Sequence, residues 1–209
     1  MNERIRDITP LVSERTAVWP GDTPPTREVL LDMKAGASLT LSTLRSTVHL
    51  GAHADAPSHY GLAAPSIETR PLGPYLGPCR VLRVAVPPSS RIPPSVLPAR
   101  IGAERVLFAT GTFPDPTVFR SDFAALSPDL VDALAEQGVK LVGIDTPSVD
   151  LFDSKDLPSH LRCRAHDLAI LEGIDLSGVE EGMYELIALP LRLGGFDASP
   201  VRAVLRDLA

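Results

Sequence analysis

Eleven consecutive residues, His49-Leu50-Gly51-Ala52-His53-Ala54-Asp55-Ala56-Pro57-Ser58-His59, hold four side chains that bind metal ions or move protons near neutral pH. Three of the chain's five histidines fall in this stretch. A polar loop whose histidines bond only to backbone is the bland reading. The mixture of imidazoles with a carboxylate is, however, the donor set of a metal site. In an extended segment, side chains two residues apart share a side, so His53 and Asp55 converge. A turn at Gly51 lets His49 join them. The resulting His, His, Asp set suits zinc or another borderline divalent cation and leaves room for water.

A carboxylate can offer one oxygen to each of two ions, so Asp55 could bridge a pair if a second ligand set arrives from elsewhere. His160, on a short helix expected over 156–165, and Glu172, emerging from an apolar Ala-Ile-Leu run, are suitable. Two ions about 3.5–4 Å apart would hold a shared hydroxide and polarise a carbonyl, which is the chemistry of amide or ester hydrolysis. His59 is assigned the proton work, taking a proton from water and returning one to the leaving nitrogen, because its ordinary pKa of about 6.5 serves both directions. The competing reading makes His59 a further ligand. Trp19, the only tryptophan, lies among Pro and Gly residues in Val18-Trp19-Pro20-Gly21-Asp22-Thr23-Pro24-Pro25, which would present its ring to a pocket rather than bury it in a core.

Asp145 and Asp150, in Gly-Ile-Asp-Thr-Pro-Ser-Val-Asp, border an expected strand end, where they either shape a pocket or serve as turn and cap residues. His166 is read as a structural group at a helix end and Glu68 as a solvated charge.

The elements that must position these residues are mainly strands and loops. Proline is abundant, 21 of 209 residues, which argues against a helical bundle. Strands are expected over 28–33, over 38–48 with a bulge, over 79–86 and over 105–110, with the histidine cluster as a strand end running into a loop. Ser127-Pro128-Asp129 supplies an N-cap, a first-turn proline and an acid, and the helix that follows ends near Gly138. A buried strand over 140–145 comes next; 168–174, 184–193 and 198–205 read as later strands. Strand, helix, strand implies α/β character, and the length suits a single domain over 1–209.

A net charge of -6 and 5% aromatic content exclude a phosphate-binding or base-stacking surface, so no nucleic-acid partner is expected. The N-terminus lacks the apolar run of a secretory signal and no segment approaches a membrane span, so a soluble cytoplasmic protein without a membrane partner is expected. Cys79 and Cys163 stand far apart with no C-x-x-C spacing.

Residues 49–59 are similar to the H-x-G-x-H-x-D-x-P-x-H signature of the cyclase family of metal-dependent hydrolases. VWPGDTP at 18–24, PYLGPCRV at 74–81, GIDTPSVD at 143–150, Asp153-Ser154-Lys155, AILEG at 169–173 and SPVRAVL at 199–205 resemble its bacterial kynurenine formamidase branch, in order. The resemblance implies a three-layer β/β/α fold of the swivelling type, a homodimer, and hydrolysis of N-formyl-L-kynurenine to L-kynurenine and formate in tryptophan degradation. It also implies two zinc ions per subunit, with manganese or cobalt as substitutes. His49, His53 and Asp55 would hold the first, and Asp55 and Glu172 would bridge to a second bound by His160. His59 would be the proton donor and acceptor, and Trp19 would touch substrate. Leu50, Ala52 and Leu161 depart from residues common in the family. The rival readings are another amidohydrolase of the family, such as an isatin hydrolase with one metal, and a non-catalytic protein that uses the metal for stability.

Overall fold

The computed structural model describes residues 5–208; the first four residues, part of the N-terminus read above for a leader, lie outside them. The strands are β1 (Ile5–Asp7), β2 (Thr26–Leu31), β3 (Leu41–Arg45), β4 (His53–Asp55), β5 (Leu76–Arg83), β6 (Arg91–Ile92), β7 (Arg105–Ala109), β8 (Ala125–Leu126), β9 (Leu141–Ile144), β10 (Ala169–Glu172), β11 (Gly182–Ile187), β12 (Ala198–Pro200) and β13 (Val204–Asp207). Among the described residues there are two α-helices, α1 (Pro128–Glu136) and α2 (Pro158–Ala165), and several single 3-10 turns. Nine strands form one mixed sheet in the order β1-β13-β11-β5-β7-β9-β10-β4-β12. Its centre, β5, β7, β9 and β10, is parallel.

The sheet must curl. β12 sits at one edge and β13 is second from the other, yet only residues 201–203 join them. Four Cα steps cover at most about 15 Å, whereas seven strand spacings in a flat sheet would need about 34 Å. The edges accordingly approach: Asp175 N–H, after β10, donates to the carbonyl of Ile8, after β1, at 2.8 Å. Curling encloses an apolar core that joins Ala52 and, on β4, Ala54 to Val81, Leu107, Leu141 and Leu205. The opposite face of the central strands presents Val106, Phe108, Val142 and Ile170 to Leu130, Val131 and Leu134 of α1 and Cys163 of α2. These two cores give a single-domain α/β fold in which two β layers are backed by helices. Near-continuous apolar runs in β7 and β9 follow from burial on both faces.

The helix expected from Ser127 forms as read: the Ser127 hydroxyl accepts from Leu130 N–H, and the chain leaves through Gly138 at φ 78°. Other boundaries differ. The histidine cluster is not a strand end entering a loop; it holds a short internal strand, β4, flanked by β10 and β12, followed by a 3-10 turn over Pro57–His59. The bulge expected within 38–48 lies instead on β2, where Leu30 is the extra residue between the pairs Val29–Ser42 and Leu31–Leu41. The closing strand expected over 198–205 breaks into β12 and β13, because the chain crosses between sheet edges there. Among the described residues, no helix is long and apolar enough to cross a membrane.

Candidate metal centre

Period-two alternation explains the placement of the first ligands. Ala52, Ala54 and Ala56 fill the core inside the curl, so His53 and Asp55 point to the helix side. Glu172 pairs directly across from His53 in the neighbouring strand and shares that side. Two glycines make the approach possible. Gly51 adopts φ 54° and Gly173 φ 64°, and a Cβ on Gly173 would stand 2.2 Å from the Gly51 carbonyl oxygen. The helix α2 then carries His160 over the sheet, with Ser159, His160 and Cys163 as its buried face.

The five predicted ligands converge. Asp55 Oδ1 lies 3.2 Å from His49 Nδ1 and 3.6 Å from His53 Nε2, while Oδ2 lies 3.5 Å from His160 Nε2. Glu172 repeats the pattern, with Oε2 3.3 Å from His53 Nε2 and Oε1 3.6 Å from His160 Nε2. Each carboxylate thus faces both groups of histidines. The outer nitrogens of the three rings are all engaged. His49 Nε2 donates to Asp197 Oδ2 at 3.0 Å, His53 Nδ1 to the Gly51 carbonyl at 2.9 Å, and His160 Nδ1 to Asp150 Oδ2 at 2.9 Å. Such outer bonds fix ring orientation and leave the inner nitrogen as the donor to a metal.

The residues fit a metal ion on a specific observation. His53 Nε2 and both oxygens of Asp55 are buried with no hydrogen-bond partner among the described residues. Unpartnered buried acceptors are costly, and they are clustered here at the point where the inner nitrogens meet. Electrostatics agrees. Burial alone would lower the pKa of His49 and His160, but the contacts with Asp55, and with Asp150 for His160, raise them to about 9 and about 10. Burial would raise Asp55, yet His160 and His49 hold it well below the usual carboxylate range. The protons on these rings supply positive charge that a divalent cation would supply in their place.

His59 stands beside this cluster. Its ring centroid is 4.2 Å from that of His49, and its Nδ1 is 3.4 Å from Asp197 Oδ2. One of its nitrogens also lies within 4.8 Å of donor atoms of Asp55 and His160. It is far more exposed than the others, at 35% of the side chain against 3–4% for His160 and His53. Trp19 lines the same cavity of its own chain, a space of about 520 Å³ that also meets His49, His53, His59, His160 and Glu172. Its ring is only half-exposed, because Phe119, Phe123 and Phe152 pack around it at centroid distances of 5.6, 6.1 and 5.0 Å.

Sequence reasoning missed that aromatic wall and Asp197, and left Asp150 ambiguous. Asp150 is fully buried and accepts from the backbone N–H groups of Ser159 and His160, from Arg91 Nη1 at 2.8 Å and from the His160 ring. It therefore caps α2 and orients a ligand at once. Against the cost of burial, these bonds hold its carboxyl down to about 2. Asp150→Asn is expected to weaken metal binding through His160 by about 10–100-fold, measured with zinc as the probe ion in competitive titration with a chromogenic chelator. Asp145 accepts from Thr110 and Gly111 N–H groups at 2.8 Å each and secures the loop beside the cavity. His166 pairs with Asp132 on the surface, and Glu68 accepts from Ser66. Leu50 and Ala52 are buried and Leu161 is half-exposed on α2, none of them within the ligand set.

The family model Cyclase, described as "Putative cyclase", matches residues 6–151. Among solved structures, one described as a "Potential Metal-Dependent Hydrolase With Cyclase Activity" is 28% identical, covers 99% of both chains and superposes with a TM-score of 0.85. A predicted metal-dependent hydrolase from Bacillus stearothermophilus is 28% identical over 100% of both chains, with a TM-score of 0.83. An isatin hydrolase bound to the product analogue thioisatinate shares the fold at a TM-score of 0.85, with 16% identity over 99% of this chain and 93% of its own. With the family match spanning well over half of the 209 residues and the same fold in these neighbours, the chain belongs to the cyclase family.

Proposed function

We propose that this chain is a metal-dependent arylformamidase that hydrolyses N-formyl-L-kynurenine to L-kynurenine and formate in the cytoplasm. One observation carries the reading: Asp55 faces His49 and His53 with one oxygen and His160 with the other, and Glu172 faces His53 with one oxygen and His160 with the other. That arrangement suits two ions, zinc first among them: His49, His53 and Asp55 would hold one and His160 the other, with Asp55 and Glu172 available to both. When bound, the metal pair would supply Lewis acidity toward the formyl carbonyl and a water of lowered pKa. Trp19 and its phenylalanine neighbours offer a flat apolar face for the aryl ring. His59, held through Nδ1 by Asp197, accepts the proton of the attacking water and returns it to the anilide nitrogen as the C–N bond breaks.

The rival with one metal and a cyclic amide substrate has less support, because a single ion leaves the second oxygen of each carboxylate without a use. Comparison of turnover on N-formyl-L-kynurenine and isatin tests the choice. Faster hydrolysis of the formamide supports the proposal, and faster hydrolysis of isatin overturns it. A purely structural metal site is closed by tight protein ligands, whereas this cluster opens onto a cavity.

The proposal includes a homodimer, and the β2–β3 ribbon supplies the surface. It is a separate two-stranded sheet whose residues are all exposed, with Val29, Leu30, Leu31, Leu41 and Leu44 between 45% and 66% accessible. An isolated ribbon this apolar is marginal in water, so a second copy is expected to cover it. Sedimentation should give a dimer for the native chain and a monomer for a Leu30→Lys, Leu44→Lys double variant; a native monomer would contradict it.

A further inference from the structure

Arg91 is a mostly buried cation that belongs to no ligand set. It lies on β6, a two-residue strand paired in parallel with β8 and set apart from the nine-stranded sheet that carries the candidate ligands of β4 and β10. Its Nη1 donates to the Leu126 carbonyl at 2.7 Å, to Asp150 Oδ1 at 2.8 Å and to the Ser159 hydroxyl at 3.0 Å. Those acceptors belong to β8, to the segment after β9 and to α2, so one guanidinium ties three elements together. Asp150 is fully buried, and among the described residues Arg91 is the only Lys or Arg paired with it. A buried carboxylate that loses such a partner is left with an uncompensated charge and has reason to move.

The tied point adjoins two of the candidate ligands. Val149 N–H donates to Glu172 Oε1 at 2.7 Å, and Asp150 Oδ2 accepts from His160 Nδ1 at 2.9 Å, so adjacent residues aim Glu172 and His160. This dipeptide is held from behind by β8. The Val149 carbonyl accepts from Leu126 N–H at 3.0 Å, and the Leu126 carbonyl accepts from Arg91 and, at 2.9 Å, from the Ser159 hydroxyl. Resting on the two-ion reading above, the geometry points to Arg91 as a positioning residue for the metal centre. It acts through Asp150, which it anchors, to hold His160 in place for the ion that His160 would bind, and Glu172 follows through the adjoining Val149. The fork of the guanidinium suits this task better than an ammonium, because it keeps its charge and its direction together. The β6–β8 pair, which takes no part in the large sheet, thereby acquires a purpose as the frame of the second metal position.

The test titrates zinc into the chelated full chain, as native protein, Arg91→Met and Arg91→Lys, in competition with a chromogenic chelator. Arg91→Met should weaken one of the two zinc steps by about 10–100-fold and change the other by less than about threefold. Arg91→Lys, which keeps the charge, should fall between native protein and Arg91→Met. A second readout follows His160 in metal-free protein by NMR, its ring N–H resonance assigned by its absence from His160→Gln. In Arg91→Met that proton should exchange with solvent at least about tenfold faster, relative to the backbone amides of β7, than in native protein. Equal weakening of both zinc steps, no change in either, or an unaltered relative exchange rate would overturn the proposal. If Arg91→Met does not fold, Arg91→Lys carries both readouts, and native values in it overturn the proposal. Should native protein bind one zinc ion per chain, the two-ion reading fails, and the exchange rate still decides whether Arg91 positions His160.

Discussion

Asp55→Asn is expected to bind neither zinc ion stoichiometrically and to lower kcat/KM for N-formyl-L-kynurenine by about a thousandfold or more. Asp55 is the one residue whose two oxygens face three histidines from two different parts of the chain. An amide in its place keeps the volume but removes the charge and turns one acceptor into a donor, aimed at nitrogens that must themselves donate lone pairs to metal. Fold and site respond differently. The variant should still fold, because Ala52, Ala54 and Ala56, which fill the core side of the same segment, are unchanged. What it should lose is the rise in melting temperature expected of the native protein on zinc addition, since only a folded state that binds the ion is stabilised by it. Metal content after gel filtration and paired melts with and without zinc check this. Two retained ions per chain would contradict it.

His59→Ala is expected to keep its metal and lose about 10²–10⁴-fold in kcat. The geometry separates this residue from the ligands. The inner nitrogens of His49, His53 and His160 meet Asp55, and their outer nitrogens are tied down. His59 instead leans on Asp197 at the open side of the cluster. A base that must exchange protons with substrate and solvent needs that exposure, and a partner carboxylate that steadies the imidazolium. Burial raises the pKa of Asp197, but its bond to His49 and the charge of His59 bring it below the ordinary value, so it stays ionised for this task. Loss of one ion from His59→Ala would return His59 to the competing role of ligand.

The candidate ligands are legible in the sequence because metal binding needs scarce residue types at short spacing. His49, His53 and Asp55 lie within seven positions, and strand alternation is enough to aim the last two. His160 and Glu172 were legible as chemistry without position; only the pairing of β10 with β4 and the seating of α2 bring them in. Asp197 gave no signal, since an aspartate after Gly194-Gly195-Phe196 reads as an ordinary turn residue. It meets His49 and His59 because Asp197 precedes β12, which pairs beside β4. Of the two roles weighed for Asp150, capping is the one it performs, at α2; its orienting of His160 gave no signal in the sequence, because it depends on how α2 seats against the 143–150 segment. The aromatic wall was hidden by distance: Phe119, Phe123 and Phe152 come from two loops, and no local period links them to Trp19. Strand limits in the 38–48 and 198–205 segments failed where tertiary demands, a free ribbon and a crossing between sheet edges, override local pattern.

The claim that two ions share one site between Asp55 and Glu172 is tested most directly by stepwise restoration of zinc to chelated protein, with formate release and bound metal measured on the same samples. The account predicts that chelation abolishes release of formate from N-formyl-L-kynurenine, and that activity returns and levels off at two ions per chain. Full activity at one ion per chain, or in the chelated protein, would contradict it.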